Sequence, residues 1–249
     1  MNGHDQAAVR EAFTAQDKMM GAIYKKGFAE YVKELADFGK AFTLNDMAVR
    51  CIDEGTPGGV HLAGSGILLG VDKAAEILKQ AGVTEITSHD ECGAAGIYAR
   101  QNGLDPSKSD EYGKEFARKL AEKTGLPYTK HIPIKEMARP SGFHSARVAY
   151  YDGTGKFDCS LVEGLPGGFV VNRRYLDKSY ALEEMKVCIS IATGDHGFGS
   201  LITPEAPFLL VAVGDAAGGV FGLEALKKEL ESLEAVSGGK VKVDGFVRP

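Results

Sequence analysis

The 249-residue sequence is sparing with cysteine: it has four. That is too few for a disulfide scaffold, and in a reducing compartment such thiols read as packed side chains or metal ligands. Long apolar runs are missing too, since no stretch reaches the roughly 20 residues needed to span a bilayer. The first residues, MNGHDQAAVREAF, are polar and charged from the start. They lack the basic-then-apolar order of a secretory leader, so a cytoplasmic location is expected. Positive charge is in deficit. Lys plus Arg is 29 against 34 Asp plus Glu, a formal charge of −5, and no basic run offsets it. This balance argues against nucleic acid or an anionic membrane as partner. The chain does have an ordinary globular composition, 44% apolar and 25% charged. The expectation is one domain over 1–249, with 1–40 a helical N-terminal arm and 165–249 a C-terminal extension of the same domain.

Residues 7–39 carry helical periodicity, with Gly21 and Gly27 as breaks. MAVRCID (47–53) reads as a buried strand followed by a Gly-rich turn. Residues 66–80 read as a helix closed by Gly82. TEITSH (84–89) is short and β-branched, hence a strand. A helix is expected from Cys92 to Gln101, another from Asp105-Pro106 to Gly125, and a short strand at TKHIPI. ARVAYYDGTGKFDCSLV reads as a hairpin, two β-rich runs joined by Asp152-Gly153-Thr154-Gly155. A helix over 180–193, an apolar strand over 207–215, a charged helix over 222–237 and a final strand at KVKVDGF complete the chain. Alternating strands and helices predict an α/β fold with a mostly parallel central sheet flanked by helices. No internal repeat is visible, and the one soft boundary lies near residue 163.

Cys51 ends one predicted strand and His89 the next. Open α/β sheets place their sites beyond the carboxyl ends of strands, so two neighbouring parallel strands would bring these residues together. Cys92 follows His89 by three residues, where the chain turns into a helix whose N-terminus favours a thiolate. Two thiolates and an imidazole suit Zn²⁺ in a tetrahedron with a fourth position left over. Asp53 shares a strand face with Cys51. Two roles are open to it: orienting a water in the fourth position, or filling that position itself. Taken apart from this placement, the same residues read as two buried thiols and a loop histidine.

The paired motifs Cys51-Ile52-Asp53-Glu54-Gly55 and His89-Asp90-Glu91-Cys92-Gly93 resemble those of the β-class carbonic anhydrases. That family carries Cys-x-Asp-x-Arg after one strand and His-x-x-Cys-Gly after another. The resemblance covers about residues 45–100 and extends towards 146–160. It implies Cys51, His89 and Cys92 as zinc ligands, Asp53 as the catalytic, gating carboxylate, and a homodimer or higher homo-oligomer. The implied reaction is that of a zinc lyase, with zinc-bound hydroxide attacking CO₂ or a related small linear carbon compound such as carbonyl sulfide. The alternative is a zinc-binding, non-catalytic member of the fold with a binding or regulatory role.

One residue departs from the pattern. The family's arginine, which holds the aspartate away from zinc, is replaced by Gly55. Arg50 adjoins Cys51 but points to the opposite sheet face. Arg139, Arg147, Arg173 and Arg174 are each open as a substitute, and the sequence does not choose among them. Glu54 is a further acid, near the site or facing solvent. His61 is placed to border the site, His196 sits in a glycine-rich loop, and His131 and His144 carry no partner pattern. GGVHLAGSGILLG lacks both the P-loop ending and the dinucleotide spacing. Cys159 and Cys188 read as core thiols.

Overall fold

The computed structural model describes residues 5–249. The chain folds as two compact units, one comprising 44–141 and the other combining 5–43 with 142–249.

Three helices open the chain: α1 (Gln6–Thr14), α2 (Asp17–Lys26) and α3 (Phe28–Val32). Asp5 caps α1 by accepting the Ala7 N–H at 2.9 Å. Of the two glycines expected to break this region, only Gly27 does, at φ +80°, and Gly21 lies inside α2. The Asp244 carboxylate then accepts the first N–H of α3, that of Phe28, at 2.7 Å.

In the unit spanning 44–141, strands β1 (Ala48–Arg50), β2 (Val60–His61), β3 (Glu85–His89) and β4 (Tyr128–Ile132) are all parallel, in the order β2-β1-β3-β4. Helix α4 (Val71–Ala81) joins β2 to β3, and α5 (Gly93–Gln101) and α6 (Ser109–Thr124) join β3 to β4. Helix α4 starts later than its periodicity suggests, because Gly70 at φ +77° interrupts the chain just before it. Its buried stripe of Ala74, Ile77, Leu78 and Ala81 follows helical spacing, and left-handed Gly82 closes it as expected.

The other unit holds β5 (Val148–Asp152), β6 (Phe169–Val171), α7 (Lys178–Thr193), β7 (Phe208–Gly214), α8 (Leu223–Ala235) and β8 (Val241–Val247). Its sheet is again parallel, in the order β6-β5-β7-β8. All seven residues of β7 are buried, as a central strand of a parallel sheet requires. The N-terminal helices belong to this unit's core. Met20, Ile23 and Phe28 are fully buried there with Tyr150, Phe157 and Phe246.

The α/β class with parallel strands and flanking helices holds, and the strands divide between two four-stranded sheets. Both sheets thread the same order, second-first-third-fourth, so one topology occurs twice without any visible repeat in the sequence. The hairpin expected over residues 146–162 is not formed. Only its first run is a strand, and both sheet neighbours of β5 are parallel. The cause is Asp152. Its buried carboxylate accepts the Thr154 N–H at 2.7 Å and the Asn172 side-chain N–H at 2.8 Å. The chain curls around that carboxylate and sends Phe157 into the core against Tyr150, with ring centroids 4.7 Å apart.

Candidate metal centre

The switch point of the 44–141 sheet lies between β1 and β3, where the order reverses and strand ends leave a crevice. Cys51 emerges directly after β1, and His89 is the last residue of β3. These strands pair in register, Ala48 with Glu85 and Val49 with Ile86, which brings their carboxyl ends side by side. Cys92 is the N-cap of α5. The intervening turn is tight, with Glu91 at φ +56°, a left-handed conformation that only a few per cent of non-glycine residues adopt. The three potential ligand atoms of Cys51, His89 and Cys92 lie within 4.8 Å of one another, and all three residues are buried.

The bonding around these atoms fits a metal. His89 Nδ1 lies 2.7 Å from the Asp90 carbonyl, which can only accept, so Nδ1 carries the proton. In the neutral ring that leaves the Nε2 lone pair, buried and without a hydrogen-bond partner, beside the two sulfurs. A metal ion satisfies an acceptor that is otherwise costly to bury. Cys51 Sγ accepts the Gly64 N–H at 3.2 Å. Gly64 sits at φ +56°, and a Cβ there would lie 2.6 Å from Ile67 and 3.4 Å from the Cys92 sulfur. His61 borders the site as expected, with Nδ1 2.6 Å from the Cys51 carbonyl.

Without metal, protons occupy the ligands. The hydrogen bond to Cys92, followed by burial, pushes the Cys51 thiol well up. The same bond pulls Cys92 down, helped by the N–H groups of Ala95 and Ala94 at the start of α5. Burial works to lower His89, but the neighbouring Cys51 sulfur and Asp53 carboxylate prevail and raise it to about 9. Metal entry at neutral pH therefore displaces protons, from Cys51 and His89 above all. Raising the pH removes these competitors, so affinity rises with pH. Chelator competition at pH 6, 7 and 8 measures this; a flat profile would contradict the assigned ligands.

Asp53 does not stand alone. The buried Arg139 donates through Nε to Asp53 Oδ1 at 2.9 Å and Oδ2 at 3.1 Å. Asp53 Oδ1 also accepts the Gly55 N–H at 2.8 Å. Arg139 Nη1 reaches the Glu91 carboxylate at 3.3 Å, and Ser141 donates to that same carboxylate at 3.0 Å. Burial works against the guanidinium charge, but Asp53, Glu54 and Glu91 outweigh it and raise its pKa further. The bareness of residue 55 is what admits this arginine. A Cβ on Gly55 would lie 2.6 Å from Met137 Cε, 2.8 Å from Arg139 Cγ and 3.0 Å from Asp53 Oδ1. Arg139 thus fills the space that a side chain at 55 would take.

The other arginines are engaged elsewhere. Arg50 binds Asp46 at 2.6 Å. Within the second unit, Arg147 binds Asp17 at 2.6 Å, Arg173 binds Glu229 at 2.8 Å and Arg174 faces Asp215 at 3.5 Å. Glu54 is buried rather than facing solvent. His196 belongs to the second unit and is exposed, and Cys159 and Cys188 are buried there as core thiols. Sequence reasoning missed Glu91, whose only signal is its place in the turn between two ligands. No helix among the described residues is long and apolar enough to cross a membrane. No protein-family model, no curated protein and no solved structure matches the chain.

Proposed function

We propose that this chain is a zinc-dependent lyase of the β-class carbonic anhydrase type, acting on CO₂ or a similarly small linear carbon compound. The observation that carries this reading is the Asp53–Arg139 pair beside the Cys51, His89 and Cys92 cluster. A binding-only site has no need of a buried carboxylate clamped by a guanidinium next to its ligands. Two thiolates and one imidazole suit zinc over harder ions such as Mg²⁺ or Ca²⁺. Zinc held there supplies a nucleophile activated at neutral pH.

The remaining work falls to the chain. Cys51 and Cys92 offset the charge of a dication. Arg139 and the Gly55 N–H hold Asp53 in one orientation as a hydrogen-bond acceptor. Because Arg139 neutralises Asp53, the carboxylate would be less strongly drawn to a metal held by Cys51, His89 and Cys92, and a reactant would have access to it. Burial of Cys51, Ile52, Asp53, His89 and Cys92 limits bulk water and strengthens each of these interactions.

Stopped-flow CO₂ hydration by zinc-loaded protein tests the reading. A rate above buffer background between pH 7 and 9, lost in His89→Ala, is expected. Stoichiometric zinc with no rate above background would sink it.

A further inference from the structure

The sequence gives His131 no partner pattern, yet the structure places it in a continuous hydrogen-bonded chain outside the metal cluster. His131 Nε2 lies 2.6 Å from Asp90 Oδ1. Its Nδ1 lies 2.8 Å from Ser88 Oγ, and Ser88 Oγ lies 2.7 Å from the Tyr128 hydroxyl. A carboxylate only accepts, so in the neutral ring Nε2 is the donor and Nδ1 the acceptor. The donors then run one way: Tyr128 to Ser88, Ser88 to His131, His131 to Asp90. Bonds aligned head to tail in this manner polarise and strengthen one another.

The chain ends on the residue that fixes the metal-binding imidazole. Asp90 is held at three points. Its N–H donates to the Ile132 carbonyl at 3.0 Å, its Oδ2 accepts the Ile134 N–H at 3.0 Å, and its Oδ1 takes His131. Its backbone carbonyl is the acceptor for His89 Nδ1 at 2.7 Å. The side-chain bonds therefore lock the peptide whose oxygen sets the tautomer and tilt of His89. Ser88 and His131 are also directly paired across β3 and β4, so the sheet register itself aligns the chain.

We propose that Tyr128, Ser88 and His131 are positioning residues for the metal centre, acting through Asp90 to hold His89 Nε2 on the metal, with His131 the key member. This inference rests on the metal-binding reading of Cys51, His89 and Cys92. A serine-nucleophile role for the same cluster is disfavoured because Ser88 is buried and its oxygen is already shared between Tyr128 and His131.

Cobalt(II) binding to the full-length, metal-free protein tests it, with the thiolate–cobalt absorption bands as spectroscopic signature and chelator competition giving the dissociation constant. Outer hydrogen-bond partners of metal ligands are typically worth roughly 10–100-fold in affinity, and His131→Ala is expected to lose that much and to shift the bands. His131→Gln, whose amide still donates to Asp90, should recover most of the loss. Ser88→Ala, for use if His131→Ala does not fold, should weaken binding about threefold to tenfold by the same route. Wild-type binding with His131→Ala and Ser88→Ala within twofold of it overturns the inference alone. So does a loss that His131→Gln does not rescue and that merely tracks the melting temperature of the metal-free protein. A wild-type chain that takes up no cobalt overturns the metal reading and this inference with it.

Discussion

Replacing Cys92 by serine is expected to lower zinc affinity by roughly two to three decades, enough to leave the purified protein without metal after dialysis against a chelator. Thiolate-rich zinc sites bind with about 10–16 kcal/mol, so one ligand of four carries about 3–4 kcal/mol. Serine keeps the shape but offers a hydroxyl that stays protonated near neutral pH. Position 92 is sensitive for a second reason. As N-cap of α5, Cys92 has its thiol lowered by the Cys51 bond and by the N–H groups of Ala95 and Ala94, so it is the sulfur most ready to give up its proton. Cys159→Ser is the control. Burial pushes that thiol up to about 12, and it belongs to the second unit. Its replacement should leave zinc content intact. Elemental analysis of the two variants side by side decides the matter: equal zinc in Cys92→Ser and Cys159→Ser would refute the ligand assignment.

The difference between these two cysteines was readable from sequence, because what marks it is local. Cys51 and His89 end strands, Cys92 begins a helix, and parallel pairing of β1 with β3 does the rest. What was not readable is non-local. Arg139 meets Asp53 from 86 positions away, out of a segment with no regular spacing, and nothing in its neighbours marks it above Arg147 or Arg173. The signal was displaced onto Gly55, whose meaning emerges only when the space beside it is seen to be occupied. The mistaken hairpin has a related origin. Asp152-Gly153-Thr154-Gly155 has turn chemistry, but the turn wraps around a buried carboxylate, and sequence does not reveal that a polar group is turned inward. The repeated strand order was hidden for the opposite reason. At the ends of β5 and β7 stand Asp152 and Gly214, where β1 and β3 lead to Cys51 and His89, so the residues that draw attention to one sheet are not found in the other.

The exchange between positions 55 and 139 leads to the prediction with the most demanding pattern. Arg139→Ala strips the guanidinium from a buried carboxylate. Breaking such a pair on one side costs about 3–5 kcal/mol of stability. Under the proposed function it also lowers CO₂ hydration by roughly a hundredfold, the scale of losing one preorganised electrostatic contact. Zinc should remain, since none of the three clustered ligands is touched. Gly55→Arg in the otherwise native chain should be harmful too, by about 1–3 kcal/mol of overpacking. Its backbone is not left-handed, so the obstacle is space alone: Met137 and Arg139 already lie within 3 Å of where its Cβ would go. Combining the two changes removes that obstacle, since Arg139→Ala deletes the Cγ in the way and Met137 Cε is the mobile tip of a flexible side chain. The arginine at 55 would then stand two residues from Asp53 and could clamp it in place of the lost one. The double variant should therefore be more stable and more active than Arg139→Ala, although Gly55→Arg alone is deleterious. Denaturation midpoints and hydration rates for the four proteins form a double-mutant cycle, and a favourable coupling of about 2 kcal/mol or more is expected. Additive losses would mean that the two positions do not share one space and one task, and the assignment of Arg139 as the partner that holds Asp53 for chemistry would fall.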